Sequence, residues 1–322
     1  MNPKRLVVAL PLAIVLVIVG FAAGAGPLTP STVQIAGFML PSDTLAATET
    51  HAPTLTPVPT GTPTPSPSPT PTVVPTFTPI PSPTRNPNLR AVRVPILMYH
   101  YLSVPPPDAD IYRLDLSVTP AAFDDQMDYL AEEGYHPIRL SDLSDYLLNG
   151  TPLPSKPIVL TFDDGYTDNY DNALPILKKY NFPATFFVIT QFVDDKRPGY
   201  MNWDQLEDLA INGMEIGSHS LDHIDLYRKP RSVQTTELAG SKAMIEARIG
   251  TPVTSFCYPS GHYDAQTISV LRSSGYLAAT TEIQGVYQST TDLYELRRIR
   301  VRGSFAVSDF AYWIKYFMAS GK

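Results

Sequence analysis

From Val94 onward, short apolar runs alternate with longer stretches in which apolar residues recur every three or four positions. Short runs bounded by polar or turn residues predict buried strands, and the three-to-four spacing predicts helices with one face turned inward. Strands are expected over 94–100, 157–162, 184–189, 214–217, 253–258, 276–280 and 296–301. The first helix follows Thr119 and Pro120, with Phe123, Met127 and Leu130 on one face and Gly134 as its stop. Others are expected over 170–180, 203–211, 232–249, 264–274 and 306–318, several of them halted by Gly or Asn-Gly. The last carries Phe310, Trp313, Ile314 and Phe317, with Phe305 just before it, and is expected to close the barrel, an exposed membrane-binding face being the alternative.

Strand and helix alternating over the C-terminal two thirds of the chain predict a parallel α/β architecture. Polar residues collect where the predicted strands end: His100, Asp163 with Asp164, His219 with His223, Tyr258 through Gly261, and Arg298. In a barrel all strand C-termini share one rim, whereas a doubly wound sheet gathers its site at one switch point. Contributions from so many strands predict a (β/α) barrel.

The chain before this region has another pattern. Lys4 and Arg5 precede an almost unbroken apolar run over 6–23. A helix needs about 20 such residues to cross a bilayer, and the flanking charge favours a cytoplasmic N-terminus. Ala23-Gly24-Ala25 also suits signal peptidase. Residues 1–26 are therefore expected to be a signal peptide or a membrane anchor, the length favouring an anchor, with the rest extracytoplasmic. Residues 27–90 are dominated by Pro, Thr and Ser. Such a segment favours extended polyproline II and buries too little apolar surface to fold. It reads as a linker, with or without O-linked sugar, leaving 91–322 as the folded domain.

Net charge is −7 over 322 residues, and no basic run exceeds the one holding Arg297, Arg298, Arg300 and Arg302, so a nucleic-acid partner is not expected. Cys257 is the single cysteine, which rules out an internal disulfide.

The chemistry is concentrated in two stretches, Thr161-Phe162-Asp163-Asp164-Gly165 and Ser218-His219-Ser220-Leu221-Asp222-His223. Together they offer carboxylate and imidazole ligands for a divalent metal with one carboxylate to spare as a base, enough for metal-assisted hydrolysis. Histidines at i and i+4 are expected to face the same way on a helical turn. The bland alternatives are that the Asp pair caps a helix, that the His pair is surface chemistry, and that His100 is a satisfied buried group. His51 and His136 are read as inert and His262 as a rim residue. Trp203, Tyr166 and Tyr258 are placed where sugar rings would stack, with core packing the competing explanation for Trp203. Cys257 is expected to pack rather than react.

Residues 94–318 resemble the polysaccharide deacetylases, the carbohydrate esterases built on the NodB-type distorted β/α barrel. Thr161 to Gly165 is similar to the family's first motif and Ser218 to His223 to its second, about 55 positions on; Phe256-Cys257-Tyr258-Pro259-Ser260-Gly261 resembles a variant of the third. The resemblance implies that Asp164, His219 and His223 bind the metal, with Zn2+ expected, and that Asp163 is the general base. It also implies an oxyanion-binding backbone N–H near Ser260. Two departures stand out. Cys257 occupies the place of the third motif's usual arginine, and no histidine follows His262 to match the family's late acid. The chain is closer to the poly-N-acetylglucosamine deacetylase subset. There an early Tyr-His, matching Tyr99-His100, supplies the acid, and a late arginine, matching Arg298, supports the base, here through an expected bidentate pair. Arg297 and Arg300 compete for that role, although strand alternation puts Arg298 and Arg300 on one face and Arg297 on the other.

The resulting expectation is a monomeric, metal-dependent hydrolase. It removes N-acetyl groups from an N-acetylhexosamine-containing polysaccharide and is tethered to the membrane by its N-terminal segment or secreted. The rivals are an O-acetyl esterase acting on a glycan such as xylan, an inert stalked carbohydrate-binding domain, and, more remotely, a glycosidase using Asp163 and Asp164 as its acid and base.

Overall fold

The computed structural model of the chain describes residues 89–320. The expected leader and nearly all of the expected linker lie outside the described residues. Among the described residues no helix is long and apolar enough to cross a membrane.

Seven parallel strands close into a barrel. In chain order the ten strands are β1 (Ala91–Arg93), β2 (Ile96–Tyr99), β3 (His136–Ile138), β4 (Pro157–Phe162), β5 (Thr185–Val188), β6 (Glu215–Ser218), β7 (Ser255–Cys257), β8 (Ala278–Gln284), β9 (Tyr287–Ser289) and β10 (Leu296–Arg300). The ring runs β2-β10-β8-β7-β6-β5-β4 and is sealed by β2 pairing with β4 in the register Ile96↔Val159 to Tyr99↔Phe162. These are the seven strands the hydrophobic pattern predicts. The distortion comes from β3, which pairs with the start of β4 (His136↔Pro157 to Ile138↔Val159), while β5 pairs further along it (Thr161↔Thr185). Outside the ring, β1 and β9 form an antiparallel ribbon.

Side chains alternate along the strands, and the alternation sorts them into two apolar clusters. Leu97, Ile158, Leu160, Phe162, Phe186, Val188 and Phe256 pack outward under the helices. Ile96, Val159, Phe187, Cys257, Ala278 and Leu296 belong to the other cluster. Counting two residues onward from this second set leads to polar positions. Val159 is followed in phase by Thr161 and Asp163, and Leu296 by Arg298. The same periodicity that builds the floor of the barrel therefore delivers charged groups to its C-terminal rim.

The helices form the outer layer. The helix Pro120–Glu132 begins at Thr119, whose side chain accepts from the backbone N–H of Ala122, and it buries Phe123, Gln126, Met127 and Leu130. The helix Trp203–Ile211 starts with a reciprocal cap between Asn202 and Gln205. Two expected helices are interrupted by π turns, at Asn169–Ala173 and Thr236–Gly240. The C-terminal helix Val307–Ser320 does not close the barrel, because β2 and β4 already do. It lies over the helix Pro120–Glu132, with Phe310 edge-on to Tyr129 at 6.0 Å between ring centroids.

Gly217, on β6 just before the histidine loop, has no room for a side chain. A Cβ there would lie 2.6 Å from the Phe187 ring and 3.2 Å from the Ser255 carbonyl oxygen. Gly217→Ala is predicted to lower unfolding free energy by about 1–3 kcal/mol, the usual range for overpacking a core. Urea denaturation reads this, and an unchanged midpoint would contradict the packing described.

Candidate active site

Asp163 and Asp164 follow β4, and the backbone sends them to different partners. Adjacent residues on a regular strand point to opposite faces, so a second carboxylate would ordinarily leave the barrel. Asp164 instead has φ of 72°, the left-handed region that non-glycine residues rarely enter. Gly165 follows with φ of 78°, and a Cβ on it would meet Val188 at 3.1 Å. The kink keeps both carboxylates on the rim. Such a conformation costs roughly 1–3 kcal/mol and is typical of functional sites.

Asp163 faces a guanidinium. Its Oδ1 accepts from Arg298 Nη1 at 2.8 Å, and both side chains are almost fully buried. Arg298 is held in turn, donating from Nε to the Thr281 carbonyl oxygen at 2.9 Å and from Nη1 to Thr161 Oγ1 at 3.2 Å. The pair is not the bidentate one expected from the sequence, because Nη2 points to Cys257 Sγ at 3.2 Å. Cys257 Sγ also lies 3.5 Å from Asp163 Oδ2, so the thiol bridges the carboxylate and the guanidinium as well as packing. Arg300 is drawn off to Glu282 and Asp115, which leaves Arg298 as the partner of Asp163. Burial pushes the Asp163 carboxyl upward, but Arg298 and His100 outweigh it and hold its pKa below the usual carboxylate range.

Asp164 faces two imidazoles. Its Oδ1 lies 3.3 Å from His219 Nε2 and 3.4 Å from His223 Nε2. His219 Nδ1 is 2.8 Å from the Cys257 carbonyl oxygen, which makes Nδ1 the donor and turns Nε2 toward the site. The histidines do not share a helical turn, contrary to the sequence-based expectation. Residues 219–223 form an irregular loop with Ser220 at φ 67° and His223 at φ 57°. Burial opposes a charged His219, yet Cys257 and Asp164 beside it prevail and raise its pKa well above the histidine norm. His223 is lowered to about 4, by burial first and by the neighbouring His219 second.

This donor set fits a small divalent cation. Ligand atoms about 2.1 Å from a tetrahedral ion stand roughly 3.4 Å apart, which matches the two spacings at Asp164 Oδ1. A second grouping, Asp163, His219 and Cys257, also brings its ligand atoms within 4.8 Å of one another. There, however, Arg298 already contacts both Asp163 and Cys257, and a guanidinium beside a cation is repulsive.

His100 follows β2, with Nε2 3.9 Å from Asp163 Oδ2. Asn169, on the first π turn, donates from Nδ2 to the His100 carbonyl oxygen at 2.7 Å; nothing in the sequence pattern marks this residue. Burial lowers the His100 pKa, and Asp163 and Asp164 only partly restore it.

The remaining candidates fare differently. Tyr258 is buried, donating its hydroxyl to the Tyr294 carbonyl oxygen and stacking on Tyr263 at 4.3 Å. Trp203 is buried too, with its indole N–H on Asp194 Oδ1 at 3.1 Å. Neither ring offers an open face, so both leave the sugar-stacking set for the core. Ser260 is exposed and left-handed, with φ of 54°, in the turn after β7. Tyr166 stacks on Tyr101 at 3.8 Å and leans on Tyr200 at 5.1 Å. All three line a cleft of ≈ 580 Å³ together with Arg113, Ser103 and Asp168.

Comparison with known proteins agrees with this geometry. A family model described as polysaccharide deacetylase matches residues 150–279, a span that includes Asp163, Asp164, His219 and His223 but neither His100 nor Arg298. The Bacillus subtilis (strain 168) protein YxkH, which carries a provisional polysaccharide deacetylase name, is 31% identical over 226 residues, covering 70% of this chain and 77% of its own length. A poly-beta-1,6-N-acetyl-D-glucosamine N-deacetylase from Staphylococcus epidermidis is 25% identical over 197 residues, covering 58% of this chain and 68% of its own. Among solved structures, the Streptococcus pyogenes deacetylase PplD in complex with acetate is similar, with a TM-score of 0.65 and 30% identity over 70% of this chain and 99% of that one. On the extent of the YxkH match, with the motif residues converging on one rim, the chain belongs to the polysaccharide deacetylase family.

Proposed function

We propose that this deacetylase removes N-acetyl groups from N-acetylhexosamine units of a cell-envelope or extracellular polysaccharide of the poly-N-acetylglucosamine kind. We further propose that Asp164, His219 and His223 hold a Zn2+ ion. The observation that carries the reading is the meeting of those three ligand atoms beside a second carboxylate, Asp163, already neutralised by Arg298. The cleft lined by Tyr166, Tyr200, Ser103, Arg113 and Asp168 supports a sugar substrate through its mix of polar groups and aromatic edges, the face of Tyr101 being covered by Arg113 and Tyr166. The name of the Staphylococcus epidermidis relative supports the choice of polymer. Export through the apolar N-terminal run belongs to the same proposal.

The cation, when bound, supplies Lewis-acid polarisation and a more acidic water. The chain's own residues move the protons. Asp163, kept ionised by Arg298, takes a proton as water adds to the acetyl carbon. The C–N bond then breaks, and the departing amine takes a proton from His100. Because burial lowers the His100 pKa, the resting imidazole is mainly neutral at pH 7. His100 Nε2 lies 3.9 Å from Asp163 Oδ2, so a small rotation of the ring lets it collect the proton Asp163 has taken up. A lowered pKa then makes it a strong donor to the amine.

Asp163→Asn is predicted to retain metal and lose roughly 10²–10⁴-fold in acetate release from chito-oligosaccharide, the usual contribution of a general base. A wild-type rate would contradict the assignment. His100→Ala should lose much more on the chito-oligosaccharide than on an aryl acetate, whose leaving group needs no proton; equal losses would argue against amine protonation. If wild type releases acetate from acetylxylan and not from N-acetylated polymers, the enzyme is an O-acetyl esterase.

Metal uptake should be linked to one proton. At pH 6 His219 is protonated in the metal-free site, and His223, at about 4, is not. A cation-bound water with pKa near 7 keeps its proton there. Binding should therefore release about one proton per ion, with affinity rising about tenfold per pH unit below the His219 pKa. Calorimetry in buffers of different ionisation enthalpy counts the protons, and a count of zero or two would contradict this electrostatic picture.

A further inference from the structure

The loop between the two histidines has an unusual support. Its backbone passes through the left-handed region at Ser220 and His223, so no regular hydrogen-bond ladder holds it. Within the loop Ser218 Oγ accepts from the Ser220 N–H at 3.2 Å, and Ser220 Oγ accepts from the His223 N–H at 3.0 Å. At the centre of the span Glu237 intervenes. Its Oε2 accepts from both the Leu221 and the Asp222 backbone N–H groups, at 3.1 and 3.0 Å. Those are two of the three residues separating His219 from His223.

Glu237 is 5% exposed and sits in the π turn Thr236–Gly240. A π turn adds a residue to the helix and re-aims the side chains around it, and such turns are frequent at functional sites. One residue beyond this turn, Ser241 Oγ meets Ser218 Oγ at 2.7 Å, so the same stretch of helix grips the loop at its root and at its middle. Charge-assisted bonds from a carboxylate to backbone N–H groups are among the stronger hydrogen bonds, and this carboxylate gives one oxygen to two of them.

We infer that Glu237 is a positioning residue for the cation site: it clamps Leu221 and Asp222 and so fixes the separation and aim of His219 and His223 before any ion arrives. The inference rests on reading Asp164, His219 and His223 as cation ligands. Without the clamp the loop would keep only its serine bonds and the Thr190 and Gln191 N–H groups that donate to the Ser220 and Leu221 carbonyl oxygens at 3.3 and 2.9 Å. The ion would then have to fix the Leu221–Asp222 backbone N–H side, an ordering that would weaken binding. Glutamine can keep the clamp, since its amide oxygen has two lone pairs; alanine cannot.

The test is Zn2+ affinity, measured below the melting transition by competition with a chromogenic chelator, for wild type, Glu237→Gln, Glu237→Ala and His219→Ala. The expected result is a loss of about 10–100-fold for Glu237→Ala, the range seen when residues supporting metal ligands are removed, with most of it recovered in Glu237→Gln. Affinity within twofold of wild type for a folded Glu237→Ala would overturn the inference and leave Glu237 a purely structural cap, even if its melting temperature fell. If Glu237→Ala does not fold, amide exchange in the metal-free wild type decides: protected Leu221 and Asp222 amides support the clamp, and free exchange of both overturns it. Wild type failing to bind Zn2+, or His219→Ala binding as well as wild type, would instead sink the cation-site reading.

Discussion

Two neighbouring carboxylates at the end of one strand, each almost buried, impose the constraint around which this rim is built. Asp163 and Asp164 are 2% and 9% exposed, and two like charges so close in a poorly solvated place repel strongly. They remain ionised only if each has its own source of positive charge. The fold supplies these separately. β10, separated from β4 in the ring only by β2, carries a guanidinium to Asp163, and the loop after β6 brings two imidazoles to Asp164. The left-handed turn at Asp164 makes the division possible, because it aims adjacent side chains at different partners without sending either out of the barrel. That division underlies the proposal that Asp163 takes a proton while Asp164 serves as a cation ligand.

The position of the guanidinium explains the departure in the third motif. A short thiol at Cys257 leaves space on β7 for the Arg298 side chain arriving from β10, and its sulfur occupies the second prong of the fork. An arginine at 257 would compete for the same buried volume and the same carboxylate. The single Asp163–Arg298 contact, flanked by Thr161, Thr281 and Cys257, satisfies the buried charges through a network, not a fork-to-fork pair. This matters because a buried ion pair is tolerated only when its remaining donors and lone pairs are also met.

Much of this was legible in the sequence because it depends on short-range periodicity. Most of the seven ring strands lie in short apolar runs, β10 with its sequence Leu-Arg-Arg-Ile-Arg showing alternation instead, and counting by two along 157–162 or 296–300 places Asp163 and Arg298 inward. What was not legible depends on contacts between distant segments. The β3 and β1–β9 pairings involve three-residue strands, too short for any periodicity. The histidine spacing suggested a helical turn, but the backbone takes left-handed steps that residue spacing does not encode. Tyr258 and Trp203 are amphipathic, so sequence alone could not tell a groove-facing ring from one buried with its polar tip satisfied. The π turns at Asn169 and Glu237 break helices whose hydrophobic pattern runs on unbroken, so their grip on the His100 carbonyl and on the histidine loop emerges only in three dimensions.

The central claim is that one cation belongs to Asp164, His219 and His223 and not to the neighbouring Asp163, His219 and Cys257 grouping. X-ray absorption at the zinc edge of the loaded protein tests it most directly. The account predicts a first shell of nitrogen and oxygen only, at about 2.0–2.2 Å, with imidazole scattering from two histidines. A sulfur scatterer near 2.3 Å would place the ion on Cys257 and contradict the division of labour between the two aspartates.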